Sequence, residues 1–322
     1  MTAALIVTYG ERDHLLRQVI EKLQSIDIDF VVVVANGVGV KSEGYIKNVE
    51  VAHNNVIVCW SDVNTGSSGG IAIGLDYIMT YLEVDYVWML DDDNVPEDLS
   101  LFHLINEASF LADPLIAFHS SRSTNSPDSK RGRMLFPGRS SFFEFDIYTI
   151  AIRVLRSILK FKETSYMEIS SYRVPYAPYG GLFLSRELIN KIGLPNTDFF
   201  LYVDDTEYTF RINGVGGSIV ILQGSIVHDI DAYWGSSFPK PRLFTQFLFE
   251  NSFFRSYYSI RNHAFFDKNI WLKNPLVYFF NKFLFLLILT VVAVRHNKLS
   301  RLKLIYSAIV EGERGLLGKR SF

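Results

Sequence analysis

Residues 86–97 read Tyr-Val-Trp-Met-Leu-Asp-Asp-Asp-Asn-Val-Pro-Glu, an apolar run that ends abruptly in three carboxylates. The apolar part, Tyr86 to Leu90, has the length and composition of a buried strand. Carboxylates crowded at a strand end repel one another and are costly unless a cation neutralises them. Hard divalent ions such as Mn²⁺ or Mg²⁺ take oxygen ligands and are commonly shared with substrate phosphates. The competing reading is a solvated acidic turn ahead of the helix that Pro96 opens. Placement at a strand end favours the metal.

Upstream, the same alternation of strand and helix repeats. Ala3 to Thr8, Phe30 to Ala35 and Val56 to Trp60 are short, β-branched or apolar runs. Leu15, Leu16, Val19, Ile20 and Leu23 recur at helical spacing between the first two, and Gly69 to Tyr81 resumes it before Tyr86. Such alternation predicts an α/β fold, a mostly parallel sheet flanked by helices. Ligands of these sheets bind beyond the carboxyl ends of the strands. The polar residues there are Thr8, Asn36, Asp62 to Asn64 and Asp91 to Asp93. Asn64 to Gly70 (NTGSSGG) opens a helix whose amides could cradle phosphate. It matches neither the P-loop nor the dinucleotide glycine pattern.

Downstream, Ser120 to Ser141 is polar and reads as a mobile loop over the site. Asp204-Asp205 with Glu207 begins a helical run, either as cap and dipole partners or as a general base with its neighbour. His228 ends the strand-like GSIVHD and is a structural histidine or a metal ligand. From about Lys240 the chain turns to Phe, Tyr, Leu and basic residues, a helical region. The division expected is a catalytic domain over 1–239 and a membrane-associating helical region over 240–322.

Composition narrows the classes. The chain has 322 residues, 48% hydrophobic and 20% charged, too apolar for a disordered or collagen-like protein. A net charge of −2 argues against holding nucleic acid by bulk charge. The single Cys59 cannot form an internal disulfide. Met1 to Gly10 lacks the basic start of a signal peptide, which predicts a cytoplasmic protein. No apolar run reaches the roughly 20 residues a spanning helix needs, and Phe283 to Val294 comes nearest. After it, Arg295, Lys298, Arg301 and Lys303 alternate with Leu299, Leu302 and Ile305. That pattern predicts one helix with a basic and an apolar side, lying on the inner face of the cell membrane. Packing on the catalytic domain, or a dimer contact, is the alternative.

Taken together, the motifs resemble the family 2 glycosyltransferases of GT-A fold, inverting enzymes that use nucleotide-diphosphate sugars. LIVTYGERDHL is similar to the family's first strand and uracil-contacting turn, and Asp91 to Asp93 to its metal-binding aspartates. YGGLFL, IGLP, FFLYVDDTEYTFRINGVGG, SIVILQGSIVHD and YYSIRNHAFF, in that order, resemble bacterial galactofuranosyltransferases and their rhamnosyltransferase relatives. NTGSSGG is closer to the galactofuranosyl branch. The resemblance covers roughly residues 3 to 265.

It implies that Asp91, Asp93 and His228 hold Mn²⁺ or Mg²⁺. Asp205 would be the catalytic base, with Asp204 orienting the acceptor. Thr8, Tyr9, Asn36, Asn64, Gly66, Gly69, Gly70, Asp91 and Asp92 would contact the donor. Gly181, Leu182, Phe183 and Glu207 would contact the acceptor. The implied donor is UDP-galactofuranose, with dTDP-rhamnose as the alternative. The implied acceptor is a glycan or lipid-linked glycan of cell-surface polysaccharide synthesis, such as O-antigen. The chain departs from the polymerising members at Leu182 and Phe183, where they carry a Trp pair, and in reading DDTE for DDAD. A sugar nucleotidyltransferase would carry a basic Gly-rich loop where this chain has TYGERDHL. A non-catalytic glycan- or Ca²⁺-binding module would not need a base-like Asp205. No nucleic-acid partner is expected; a homo-oligomer is possible.

Overall fold

The computed structural model describes residues 1–122, 136, 138–159, 170–231, 246–250 and 252–320. They fall into two compact units. The first holds the described residues up to 122, then 170–200 and 204–231; the second holds 136, 138–159, 201–203 and the described residues from 246 on.

The first unit is built on one sheet. Strand β1 (Thr2–Gly10) lies between β2 (Phe30–Val38) and β4 (Tyr86–Asp91), with β3 (Val56–Ser61) beyond β2, all parallel. These strands are covered on both faces, which is why they read as continuous apolar runs: Ala3 to Ile6 and Val31 to Ala35 have no exposed surface. The second half of the sheet is mixed. It contains β5 (Asn94–Pro96), β6 (Ile116–Arg122), β7 (Ser171–Val174), β8 (Leu182–Ser185) and β9 (Ser218–Asp229). β8 runs antiparallel between β4 and β6, while β6 and β9 are parallel. β5 and β7 both pair antiparallel with β9.

Helices cover the sheet. In α1 (Asp13–Gln24) the buried residues are the five apolar positions of the sequence pattern, Leu15 to Leu23. α2 (Val40–Ala52) and α3 (Gly66–Tyr81) are the crossover connections from β2 to β3 and from β3 to β4, as parallel strands require, and α4 (Ser100–Leu111) joins β5 to β6. α6 (Arg186–Ile192) and α7 (Asp204–Gly214) flank the segment that leads to Asp204.

The second unit is helical: α5 (Ile147–Ile158), one turn at Gln246–Phe249, α8 (Phe253–Phe266), α9 (Pro275–Arg295) and α10 (Leu299–Glu313). Residues 138–147 pack with these helices. Phe142 meets the rings of Tyr278 and Phe285 edge-on, and Phe143 N donates to the buried Asp267 carboxylate at 2.8 Å.

Three expectations about this region are corrected. α9 is long and apolar enough to cross a membrane by length and composition, because Asn281 and Lys282 continue the helix instead of ending the apolar run. Its start is set by Pro275 at the first turn and by Asn274, whose side chain accepts from the amides of Leu276 and Val277. Second, the tail is not one helix from Arg295 onward. Asn297 takes a left-handed conformation (φ 55°), and α10 begins afresh at Leu299. Third, Arg301 is buried, and its guanidinium donates to the carbonyls of Phe247, Glu250 and Ser252 and to Ser256 Oγ. It is an internal clamp, so the basic side lacks one of its four cations. The greater part of the polar stretch read as a mobile loop, 123–135 and 137, lies outside the described residues.

Candidate active site

The carboxyl end of β4 gathers more charge than the triplet alone. Asp92 is buried and accepts from Thr8 Oγ1 at 2.7 Å and from Arg12 Nε at 2.9 and 3.0 Å. The other guanidinium nitrogens of Arg12 reach Asp231 at 3.0 Å and Asp93 at 3.3 Å. Asp91 is half exposed and pairs with Arg122 at 2.9 Å. Arg122 also lies 3.4 Å from Asp229 and donates to the carbonyl of Gly180 at 3.2 Å. Asn94 ties the turn together, donating to Asp229 at 2.8 Å and to Asp93 at 3.1 Å.

Five carboxylates therefore face two guanidiniums. Burial, followed by the charges of Asp91 and Asp92, pushes Asp93 up to about 7. Asp92 is raised as well, by burial first, against the opposing bonds from Arg12 and Thr8. This excess of buried negative charge is the setting that a hard divalent cation relieves, and the oxygen donors suit Mn²⁺ or Mg²⁺. Asp91 and Asp93 would be its ligands. Among the described residues no three His, Cys, Asp or Glu side chains already form a cage, so remaining ligands would come from diphosphate and water. Gly180 closes the other side: a Cβ there would fall 2.2 to 2.3 Å from Asn94 Oδ1, Arg122 and Asp91 Oδ2.

His228 and Asp229 are consecutive on β9, so they face opposite ways. It is Asp229 that meets the acidic cluster. His228 Nε2 lies 2.9 Å from Glu97 Oε1, both side chains being about half exposed.

The expected donor contacts divide into exposed and internal residues. Tyr9 is exposed beside the end of β1, with the Arg12 guanidinium 5.4 Å from its ring centre. Thr8 and Asn36 are buried, and their polar atoms are already engaged. Asn36 Oδ1 accepts from the amide and hydroxyl of Thr65 at 2.8 Å, while its Nδ2 donates to Gly66 O at 2.9 Å. Asn64 Oδ1 accepts from Gly66 N at 2.8 Å. Asn36 and Asn64 thus build the NTGSSGG turn from within. Gly66 has φ +79° and its missing Cβ would sit 1.8 Å from Phe200 O, so only glycine fits. Gly69 and Gly70 are buried in the first turn of α3, where a Cβ on Gly70 would strike Val7 at 2.5 Å.

α3 also carries the link to the second acidic pair. Ser67 Oγ donates to Asp204 Oδ2 at 2.6 Å. Asp204 is buried, and burial together with the charge of Asp205 raises it well above the usual carboxylate range. Asp205 is only partly buried. Its Oδ1 accepts from Thr206 N at 2.6 Å. Burial raises its pKa against the bonds from Thr206, while Asp91 (raising) and Arg122 (lowering) both act on it through space. Asp205 therefore shares the field of the β4 cluster, and a carboxylate held toward its protonated form is suited to accept a proton. Before it, Phe200, Tyr202 and Val203 all take positive φ (64°, 66° and 64°), a strained run.

The expected acceptor contacts are placed otherwise. Leu182 and Phe183 have no exposed surface, because they fill β8 between its two neighbours and Phe183 stacks on Tyr86 at 4.8 Å. They are core residues and present nothing to an acceptor. Gly181 N donates to Met89 O at 2.8 Å and continues that pairing. Glu207 is bound by Arg211 through two bonds of 2.8 and 2.6 Å, and Arg211 also holds the carbonyls of Ile192 and Leu194. Arg12, Arg122, Asp229, Asp231 and Ser67 were missed from the sequence. Only Asp229 left a readable signal there, as the strand neighbour of His228.

Comparisons with known proteins follow the same architecture. The sequence profile described as Glycosyl transferase family 2 matches residues 3–192, more than half of the chain. No curated protein matches the sequence. Among solved structures, GalNAc-T7 with UDP, GalNAc and Mn²⁺ aligns with a TM-score of 0.52 at 14% identity, over 71% of this chain and 43% of its own. The mannosyltransferase PcManGT from Pyrobaculum calidifontis, in complex with GDP-Man and Mn²⁺, aligns with a TM-score of 0.50 at 16% identity, over 95% of this chain and 73% of its own. At these identities the likeness is one of fold. The chain spans less than half the length of the first.

Proposed function

The chain belongs to glycosyl transferase family 2, and we propose that it transfers a sugar from a nucleotide diphosphate to an acceptor hydroxyl with inversion. The observation that carries this reading is Asp205: a partly buried carboxylate at the start of α7, within the electrostatic reach of Asp91 and Arg122. Asp205 takes the proton of the acceptor hydroxyl as that oxygen attacks the anomeric carbon from the face opposite the diphosphate. One displacement inverts the configuration, and no covalent enzyme intermediate forms. Asp204, fixed by Ser67, orients the acceptor. Arg12 and Arg122 hold the carboxylates of the cluster in place. A divalent cation at Asp91 and Asp93, when bound, offsets the charge developing on the leaving diphosphate.

The donor that the motif series supports best is UDP-galactofuranose, and the acceptor a glycan or lipid-linked glycan of a cell-surface polysaccharide. A panel of nucleotide sugars incubated with the protein and Mn²⁺, read as free nucleoside diphosphate, tests this. UDP-galactofuranose should be consumed fastest. Preference for dTDP-rhamnose would overturn the donor assignment alone. No consumption of any donor would overturn the transferase reading.

A further inference from the structure

Helix α9 is built inside out for a protein surrounded by water. Its polar groups lie on the packed face. Tyr278 Oη donates to Glu313 at 2.9 Å, Lys282 Nζ binds both oxygens of the same carboxylate at 2.6 Å, and Asn281 Nδ2 donates to Ser140 O at 3.1 Å. The opposite face is an unbroken apolar stripe. Leu276, Phe280, Phe283, Leu287, Val291 and Val294 follow one another at intervals of three and four and are all at least half exposed. A surface helix facing water shows the reverse order. Twenty-one residues make a stripe about 30 Å long, far from the scattered single apolar residues of an ordinary surface.

Charge at its ends decides what the stripe meets. Lys273 is exposed just before the helix, Arg295 is exposed at its last residue, and Lys298 and Lys303 are exposed after it. The sequence has no Asp or Glu from Lys268 to Val310. A second copy of this helix, laid parallel or antiparallel, would bring cation against cation at both ends, which is repulsive. An anionic lipid surface answers both features at once: acyl chains for the phenylalanines and leucines, headgroups for the cations. We infer that the exposed face of α9 seats in the interface of an anionic bilayer, with the helix lying along the surface. This assignment uses none of the site residues and is independent of the donor.

The test is sedimentation of the full chain with phosphatidylcholine vesicles, with and without phosphatidylglycerol. Wild type should pellet with the anionic vesicles. Two variants at exposed positions separate the contributions: Phe283→Ser/Leu287→Ser/Val291→Ser, and Arg295→Glu/Lys298→Glu/Lys303→Glu. The first should abolish binding, and the second should weaken it roughly a hundredfold or more. Melting and circular dichroism establish that each variant is folded; should the serine triple not fold, Phe283→Ser alone is read in its place, with a smaller loss. Loss of binding in both supports the assignment. Persistence in either folded variant overturns it, as does wild type that stays in the supernatant. Self-association of wild type in buffer, abolished by the serine variant, would give the face to a second copy instead.

Discussion

Asp205 and Asp204 are neighbours in sequence with different surroundings, and substitution should separate them. Asp205→Asn keeps the volume and removes the proton acceptor. Transfer should fall on the order of a hundred- to ten-thousand-fold while UDP and Mn²⁺ binding, measured by calorimetry, are retained. Asp204→Asn keeps an oxygen for the Ser67 hydroxyl, so its effect on transfer should be much smaller. If Asp204→Asn proves the more damaging with binding intact, the two roles are exchanged. A second residue reports on stability. Burial pushes Asp267 up to about 7, against the bond from Phe143 N that favours the charged form. An unfolded aspartate titrates near 4. The fold thus prefers the protonated acid: the contribution is complete below about pH 4 and is lost as pH rises through about 7. Asp267→Asn stays neutral and can still accept from Phe143. Its stability should therefore gain on wild type between pH 5 and pH 8, by roughly 4 kcal/mol at most, which melting curves across that range would show. A difference that is constant with pH would contradict the buried protonated acid.

Among the elements, α10 depends on a single inward cation. Arg301 satisfies three carbonyls around the turn at Gln246–Phe249 and the start of α8, and a hydroxyl besides. Arg301→Met keeps much of the length and leaves those acceptors unpaired, which should destabilise the protein by roughly 2 to 4 kcal/mol in chemical denaturation. A change below about 0.5 kcal/mol would mean that the acceptors find water instead. Helical periodicity in RHNKLSRLKLIYSAIV placed Arg301 with the other basic residues, because spacing alone cannot tell a solvated arginine from one capping carbonyls of another segment. β8 teaches the same lesson from the apolar side. Leu182 and Phe183 were assigned to the acceptor by resemblance, yet both faces of β8 are covered there and neither side chain has exposed surface.

For the whole molecule, ligand binding should appear as stability. The metal-free protein concentrates negative charge at the end of β4, so Mn²⁺ with UDP should raise the melting temperature, by the equivalent of about 2.7 kcal/mol at a hundredfold excess over the dissociation constant. Chelation should reverse the gain and stop donor turnover together. An unchanged melting temperature with both ligands present would remove the cation from the site.

The sequence by itself determined the class of fold and where the polar side chains of the candidate site gather. Buried parallel strands must be continuous apolar runs, and their carboxyl ends must carry the polar residues. Hence Thr8, Asn36 and Asp91 to Asp93 were legible, as was the helix start at Asp204. Only the tertiary structure decided which polar side chains face the cluster and which serve the scaffold. Asn36 is consumed by the turn at Thr65 and Gly66, Asp229 faces the acidic cluster while His228 meets Glu97, and Arg12 and Arg122 supply countercharge from distant positions. The reason is physical. Burial and periodicity are properties of one segment, whereas a hydrogen bond or ion pair needs a partner that may be 80 or more residues away, as Arg12 is from Asp92.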